Sequence, residues 1–244
     1  LSIIEFESKR MNCAKFFVDV DLTEINKIRE KNRVSYTTFV VLAASHAAKD
    51  YKYVNSRIFS HWFMKKLIHF EDIDIAIAVE RLSEGLEAIA YCDIIRNSAR
   101  LSPQEIQSTL EGFKKTDSSN KQWTQFDKLI KDYPLFLIKM ILKLPYYFPY
   151  FWKKYRGGAI LISSPAKYGV DFISANWLWP IGISFGFAKD RTFVIDKKIL
   201  SRPSFKLVMS FDRRMLAGSQ AAIFFKKLAF YLENPASILE KQIE

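Results

Sequence analysis

The strongest constraint on the fold is that strand-like and helix-like patterns follow one another at both ends of the chain. Residues 16–22 alternate apolar and polar side chains as a half-buried strand does, and a helix is predicted to follow, with Thr23 as its N-cap. Near the other end, 205–211 is predicted to be a strand and 218–233 a helix. Because no linker or internal repeat separates the two ends, we predict one α/β domain over 1–244, built around a mixed sheet.

The rest of the chain shows the same two periodicities, with turn residues between the periodic segments. The further predicted elements are a helix over 36–50, an antiparallel hairpin of 73–79 and 87–91, a helix that begins at Ser102 and Pro103, strands at 159–163, 181–187 and 192–195, and a polar loop at 115–122.

Composition limits the class of protein. A content of 49% hydrophobic and 15% aromatic residues suits a large globular core, and no uncharged apolar run approaches the roughly 20 residues that span a bilayer. No stretch has the features of a signal peptide, so we expect a cytoplasmic protein. Cys13 and Cys92 lie outside any pattern with metal-ligand spacing. We therefore predict neither a disulfide framework nor a metal site, and expect two small core residues.

The net charge of +11 favours an acidic partner, such as a phosphate-bearing ligand or an anionic membrane. Codon usage that favours Ile, Lys and Asn is the alternative explanation for the excess of lysine. No zinc-finger or ribonucleoprotein motif is present, so nucleic acid is not an expected partner.

The segment 129–156 (LIKDYPLFLIKMILKLPYYFPYFWKKYR) joins an apolar run to an aromatic and basic one. A helix is predicted over 135–144, and three prolines prevent a longer one. Lys139 and Lys143 share a face of that helix, and the tyrosines that follow are typical of boundaries between water and apolar surroundings. The segment is therefore a peripheral membrane contact, a wall for a hydrophobic acyl ligand, or a core helix with an aromatic loop.

The run KLVMSFDRRMLAGSQAAIFFKKLAFYLENP, residues 206–235, resembles the signature of dihydrolipoamide acyltransferases and chloramphenicol acetyltransferases. In that signature a strand ending in Ser-Phe-Asp-His-Arg leads through x-x-Asp-Gly into the last helix. Three more passages resemble the family in order: 16–22 its first strand, 74–80 its I-G-I-A-V strand, and 157–170 its G-G-T-x-x-I-S passage. The resemblance implies a chloramphenicol-acetyltransferase-like two-layer sandwich, in which helices cover one face of a mixed β-sheet.

The resemblance also implies a catalytic-type domain that forms a trimer with active sites between subunits. In this family a histidine deprotonates the thiol of CoA or dihydrolipoamide, and a Ser or Thr of the neighbouring subunit stabilises the oxyanion. The motif aspartate has a structural role. CoA or acyl-CoA is thus the expected substrate, with no tightly bound cofactor and no metal, and we expect neither a lipoyl nor a peripheral-subunit-binding domain within 1–244.

Two positions depart from the family pattern. Arg213 stands where the catalytic histidine is expected, and Ala217 stands where the motif aspartate is expected. An arginine stays protonated at physiological pH and cannot be the base. Ser163 and Ser164 fall where the oxyanion-stabilising residue is expected, although two serines also commonly begin a turn. The motif residues that match are Ser210, Phe211, Asp212, Arg214 and Gly218.

Other residues are candidates for a replacement base. His46, His61 and His69 lie in the first third of the chain and none falls at the catalytic position, so each is expected to be structural. Asp171 and Asp212 are the acids nearest in sequence to the family motifs.

Two functions are compatible with these residues. The first is a non-catalytic or half-site subunit, a pseudoenzyme that binds a ligand or an active paralogue in a homotrimer or a mixed trimer. Arg213 is then an ion-pair residue or an anion contact. The alternative is an active divergent acyltransferase for hydrophobic acyl groups with a non-standard base. Membrane association through 129–156 is compatible with both.

Overall fold

The computed structural model describes residues 12–61, 64–83, 86–114, 124, 128 and 132–239. The strands are β1 (Cys13–Asp21), β2 (Ser56–His61), β3 (Met64–His69), β4 (Ile75–Ser83), β5 (Leu86–Ile95), β6 (Ile160–Ser163), β7 (Ile181–Phe185), β8 (Lys189–Ile195) and β9 (Lys198–Asp212). The helices are α1 (Thr23–Asn32), α2 (Tyr36–Asp50), α3 (Pro103–Lys114), α4 (Leu135–Tyr147), α5 (Pro149–Arg156), α6 (Gly218–Glu233) and α7 (Ala236–Leu239).

Seven of the strands form a mixed sheet in the order β1-β9-β7-β6-β4-β5, with β8 paired to the first part of β9. β6 runs parallel to both β4 and β7, and the other pairs are antiparallel. β2 and β3 form a separate hairpin. This mixed α/β architecture confirms the predicted fold class.

The main core lies between one face of this sheet and the helices, chiefly α2 and α6. Along β6, Ile160 and Ile162 point into this core. α2 is buried along most of its length, which is more than the broad apolar face that its sequence predicts. Alanines supply much of its surface, and they let the helix lie close to its neighbours.

A second cluster lies on the opposite face of the sheet. Leu161, between the two core isoleucines of β6, joins Ala76 of β4 beneath Tyr146, Trp152 and Trp179. Successive strand residues point to opposite faces of a sheet. Ile160 and Ile162 therefore lie on the face of the main core, and Leu161 lies on the face of the second cluster. Residues at the ends of α4 and α5 thus cover part of the face that the other helices leave open.

The buried carboxyl group of Asp74 fixes how β4, β6 and α5 meet. Its oxygens accept from Arg96 Nη1 at 2.7 Å and from the Asn97 N–H at 2.9 Å, and its carbonyl accepts from the Gly158 N–H at 3.0 Å. A Cβ at position 158 would lie 2.7 Å from the Asp74 carbonyl oxygen. Only glycine permits this close approach, which explains the second glycine of the Gly157-Gly158 pair.

The structure confirms most predicted elements and corrects several boundaries, the largest change being at β9, which begins at Lys198 and not at residue 205. The 73–79 and 87–91 hairpin is present as β4 and β5, the helix at Pro103 begins with a reciprocal pair of Ser102 and Glu105 hydrogen bonds, and the last helix has the predicted bounds. Thr23 as N-cap is wrong. Leu22 occupies that position, and Asp21 Oδ1 accepts from the Thr23 N–H at 2.9 Å.

The predicted end of the apolar helix at residue 144 is also wrong, because α4 continues through Pro145 to Tyr147. Proline near the last turn removes one backbone donor, and the helix ends soon afterwards. No helix in the described part of the chain is both long and apolar enough to cross a bilayer. The predicted loop at 115–122 and residues 129–131 lie outside the described residues.

The corner between β9 and α6 is held by an ion pair. Asp212 is buried, and its carboxylate receives Arg214 Nε at 3.0 Å and Nη2 at 2.5 Å, as well as the Arg214 N–H at 3.0 Å. Arg213 between them is exposed and donates its N–H to the Asn12 carbonyl at 2.8 Å. The two arginines of the motif therefore differ, since only Arg214 neutralises the buried carboxylate.

The start of α6 has an incomplete cap. Ala217 occupies the N-cap, and its N–H donates to Gln220 Oε1 at 3.4 Å, but alanine offers no side-chain acceptor in return. The first N–H groups of the helix thus lack the partner that Asp, Asn or Ser supplies at this position.

We predict that Arg214→Gln lowers the free energy of unfolding by about 2 kcal/mol, because it leaves the buried Asp212 carboxylate without its counter-ion; the half-exposed position of Arg214 reduces the cost below that of a fully buried pair. Arg213→Gln is the matched control and should change stability by less than about 0.5 kcal/mol. Urea unfolding followed by circular dichroism measures both, and equal losses would contradict the division of roles.

We also predict that Ala217→Asp raises the free energy of unfolding by about 1 kcal/mol, because the new carboxylate accepts from the first turn of α6 and lies near its positive end. Ala217→Asn should give a similar gain, and Ala217→Leu should give none. Thermal unfolding of the three variants is the measurement. A gain from leucine equal to that from aspartate would show that burial, and not capping, is responsible.

Candidate functional site

Ser163 ends β6, with its side chain on the second face of the sheet. The alternation along β6 places it with Leu161 and opposite to Ile162. Among the described residues its hydroxyl makes no hydrogen bond, and the residue is partly exposed. The hydroxyl is therefore free to donate to a ligand.

Ser164 has a different position. Its Oγ donates to the Phe185 carbonyl at 2.9 Å and accepts from the Ala166 N–H at 3.2 Å. These bonds tie the turn after β6 to the end of β7, and Gly169 with φ of 70° closes that turn. Of the two predicted oxyanion donors, the geometry favours Ser163, and Ser164 has the turn role that was the alternative.

A polar cluster that the sequence did not reveal lies beside this turn. The Glu80 carboxylate accepts from Lys167 Nζ and from the Tyr168 hydroxyl. These hydrogen bonds hold the pKa of the Glu80 carboxyl group below its ordinary value, and the bond from Lys167 has the largest effect. The register places Ile77 beside Ile162, so Glu80 lies on the neighbouring strand just beyond Ser163 and on the same face. Because its carboxylate is ionised and paired, Glu80 is a poor general base. It places a fixed negative charge near Ser163.

Arg213 lies at the other end of the sheet. Ser163 aligns with Ser184 of β7, and Ser184 aligns with Val208 of β9, so Arg213 is five residues further along β9. With a rise of about 3.3 Å per residue and strands about 4.8 Å apart, the two Cα atoms are roughly 19 Å apart. The structure therefore does not bring Ser163 and Arg213 together within one chain, and Ala217 lies beyond Arg213 at the start of α6.

The histidines occupy structural positions where they are described. His46 is buried in α2, on the helical side of the sheet, with its ring 6.4 Å from that of Tyr231. His69 Nδ1 lies 2.6 Å from Ser56 Oγ, which itself donates to the Tyr53 carbonyl, so the imidazole is the donor. The side chain of His61 lies outside the described residues. Neither described histidine contacts Ser163.

The other acids and thiols are also unsuited to act as bases. Asp171 pairs with Lys189 and Arg191, and the Lys189 hydrogen bond is the main reason that the Asp171 pKa is low. Burial raises the pKa of Cys92 to about 11, and burial with the Asp212 charge raises that of Cys13. Both thiols are free and stay protonated at neutral pH. In the described part of the chain, no group of three or more His, Cys, Asp or Glu residues is placed to hold a metal ion.

Comparison with known proteins identifies relatives of this fold. The dihydrolipoyllysine-residue succinyltransferase component of the 2-oxoglutarate dehydrogenase complex of Cupriavidus necator is 25% identical over 212 residues, which are 85% of this chain and 41% of that protein. The chain thus spans less than half the length of this curated relative.

Solved structures show the same fold. The dihydrolipoamide acetyltransferase of Azotobacter vinelandii superposes with a TM-score of 0.69 at 19% identity, covering 98% of this chain and 88% of that one. A chloramphenicol acetyltransferase superposes with a TM-score of 0.54 at 12% identity, covering 95% and 94% of the two chains. These superpositions confirm the predicted chloramphenicol-acetyltransferase-like fold.

The family model for the 2-oxoacid dehydrogenase acyltransferase catalytic domain matches residues 7–124 and 152–240. The match includes β6 with Ser163 and the whole β9 to α6 corner, and it omits α4 and the first residues of α5. The resemblance drawn from the C-terminal motif is thereby confirmed, and the chain belongs to the 2-oxoacid dehydrogenase acyltransferase (catalytic domain) family.

Proposed function

We propose that this chain is an acyltransferase-family subunit that retains the oxyanion-stabilising half of a thioester acyl-transfer site and has lost the half that supplies the base. The observation that carries the proposal is the contrast between Ser163, whose hydroxyl is free at the end of β6, and Arg213, which replaces the expected histidine. The guanidinium cannot accept a proton from a thiol, so the chain alone lacks the first step of the reaction.

The retained half has a defined chemistry. When a thiolate attacks a thioester carbonyl, negative charge develops on the carbonyl oxygen, and a preorganised hydroxyl donor stabilises it. Ser163 suits this role because the β6 backbone is paired on both sides and Ser164 anchors the turn that follows. The catalytic mechanism of the Azotobacter vinelandii enzyme has been investigated through a serine, a histidine and an asparagine. We expect Ser163 to correspond to that serine.

A complete site needs a second chain. The roughly 19 Å between Ser163 and Arg213 prevents one subunit from combining the two ends of its sheet, and the curated relative is a component of a multienzyme complex. We therefore propose a trimer in which Ser163 faces a neighbouring subunit. If that neighbour is an active paralogue, its histidine supplies the base. In a homotrimer the interface between subunits instead offers the Arg213 guanidinium as an anion contact for an acyl-CoA or another ligand.

We propose the β8 and β9 hairpin as the surface that contacts such a neighbour. The hairpin turns at Asp196 and Lys197, with φ of 50° and 63°, and continues β9 beyond its pairing with β7. Val194 and Ile199 are directly paired across it and are 72% and 76% exposed. Burial of this exposed apolar pair by another subunit would be favourable, because it removes apolar surface from water.

We predict that the purified chain, given acyl-CoA donors of increasing chain length and an alcohol as acyl acceptor, releases no CoA thiol. The variant Arg213→His/Ala217→Asp should gain turnover, because the new histidine can deprotonate the acceptor and the new aspartate caps α6. Adding Ser163→Ala should lower that gained rate by at least about 100-fold through loss of the oxyanion donor. Adding Ser164→Ala is the matched control and should reduce stability while leaving the rate within about threefold, since its hydroxyl bonds only backbone.

Turnover by the unmodified chain that is abolished by Ser163→Ala would contradict the loss of the base half. It would establish the alternative, a divergent acyltransferase with a non-standard base.

We also predict that Val194→Asp/Ile199→Asp shifts the protein from trimer to monomer in sedimentation velocity, because buried unpaired carboxylates at an interface are costly. Ile223→Asp on the exposed side of α6 is the control and should leave the mass unchanged. A trimer that survives the hairpin variant would place the subunit contact elsewhere.

A further inference from the structure

α4 and α5 each have an inner face that packs on the protein and an outer face that does not. On the inner side, Tyr146 and Trp152 are buried in the second cluster. On the outer side, Phe136 and Met140, one turn apart on α4, are 72% and 57% exposed, and Tyr150 on α5 is 69% exposed. The outer residues point away from the domain, so they form neither its core nor the wall of an internal acyl channel.

α5 is held in one orientation by ionic contacts. Arg96 donates from Nη1 to the Lys153 carbonyl and from Nη2 to the Lys154 carbonyl, both at 2.6 Å, and thereby caps the C-terminal end of the helix. Lys153 Nζ lies 2.5 Å from Asp72 Oδ2. These contacts occupy the inner side of α5 and leave Lys154 exposed, with its Nζ 5.3 Å from the ring centroid of Tyr155.

The exposed aromatic side chains form a continuous group. Phe148, at the corner between the two helices, lies 6.1 Å from Phe151, centroid to centroid. Phe151 lies 5.5 Å from Tyr150 and stacks at 6.4 Å on Tyr155. The corner of the two helices therefore presents a continuous aromatic surface.

All charged side chains of α4 and α5 are positive. Residues 135–156 contain five Lys or Arg residues and no Asp or Glu. Lys139 is exposed beside Phe136 and Met140, and among the described residues it has no ion-pair partner. The family model matches the chain on both sides of 125–151 but not within it, so the sequence of α4 departs from the family pattern. An exposed, basic and aromatic element suits an anionic partner with an apolar interior.

We propose that the α4–α5 surface, defined by Phe136, Lys139, Met140, Tyr150 and Lys154, docks on an anionic membrane surface. Aromatic and methionine side chains at a helix surface enter the boundary between headgroups and acyl chains, and tyrosine hydroxyls remain at the polar level. The lysine ammonium groups are attracted to anionic headgroups. The inference goes beyond the proposed acyl-transfer site and does not depend on it.

The test is flotation of the whole chain with phosphatidylcholine vesicles, with and without about one-third phosphatidylserine, at low and high salt. We expect binding only to the anionic vesicles and a clear loss at high salt. Phe136→Ser/Lys139→Gln and Tyr150→Ser/Lys154→Gln should each weaken binding by about tenfold or more. Thermal unfolding should be unchanged in both variants, because the replaced side chains are exposed.

The matched control is Ile223→Ser/Lys226→Gln, which also removes one exposed apolar side chain and one lysine three residues apart, on the distant helix α6. It lowers the net charge equally and should bind like the unmodified chain. An equal loss in this control would mean that the overall charge of +11 is responsible and would overturn the proposal. Absence of binding to anionic vesicles would also overturn it, as would a change of oligomeric mass in the α4 variant, which would assign the surface to a second copy. Thiol release by the same proteins reports on acyl transfer separately.

Discussion

The Asp74 carboxylate is the constraint on which the placement of both proposed functional surfaces depends. It is buried, and Arg96 reaches it while also holding the last carbonyls of α5. Through its backbone the same residue receives the Gly158 N–H, which starts β6 in register with β4. A single ionic centre therefore positions the Ser163 hydroxyl at one end of β6 and turns the outer face of α5 to solvent at the other.

Local pattern in the sequence predicts the elements well because it depends on neighbours three or four residues apart in helices and two apart in strands. The last helix and the β4 and β5 hairpin follow directly from it. The start of α1 and the C-terminal end of α4 did not follow from it. The Asp21 side chain accepts the hydrogen bond at the start of α1, and Pro145 is tolerated in the last turn of α4. The parallel pairing of β4 with β6 joins segments more than eighty residues apart. No local pattern predicts such a pairing.

The candidate site, like the fold, could be predicted from the sequence only in part. The motif identified the residue types at Arg213 and Ala217 and limited the oxyanion donor to two serines. It could not decide between them, because the choice depends on the Phe185 carbonyl that binds Ser164. Glu80 and its partner Lys167 are 87 residues apart, and their meeting follows only from the parallel register. The distance between Ser163 and Arg213 likewise follows only from the sheet order, and the proposal that a second chain completes the site rests on that distance.

The fold does not depend on a histidine at position 213, because other residues of the motif hold the corner between β9 and α6. The Arg214 guanidinium neutralises the Asp212 carboxylate at the end of β9, and the side chain of the residue between them takes no part in this ion pair. The Arg213 side chain is exposed and lies outside the ion pair of Asp212 and Arg214, so arginine is accommodated there without disturbing β9 or α6. Alanine at 217 costs only part of a helix cap. The strand and turn that hold Ser163 are thus independent of the residue at position 213, and the proposal that a neighbour supplies the proton acceptor rests on this independence.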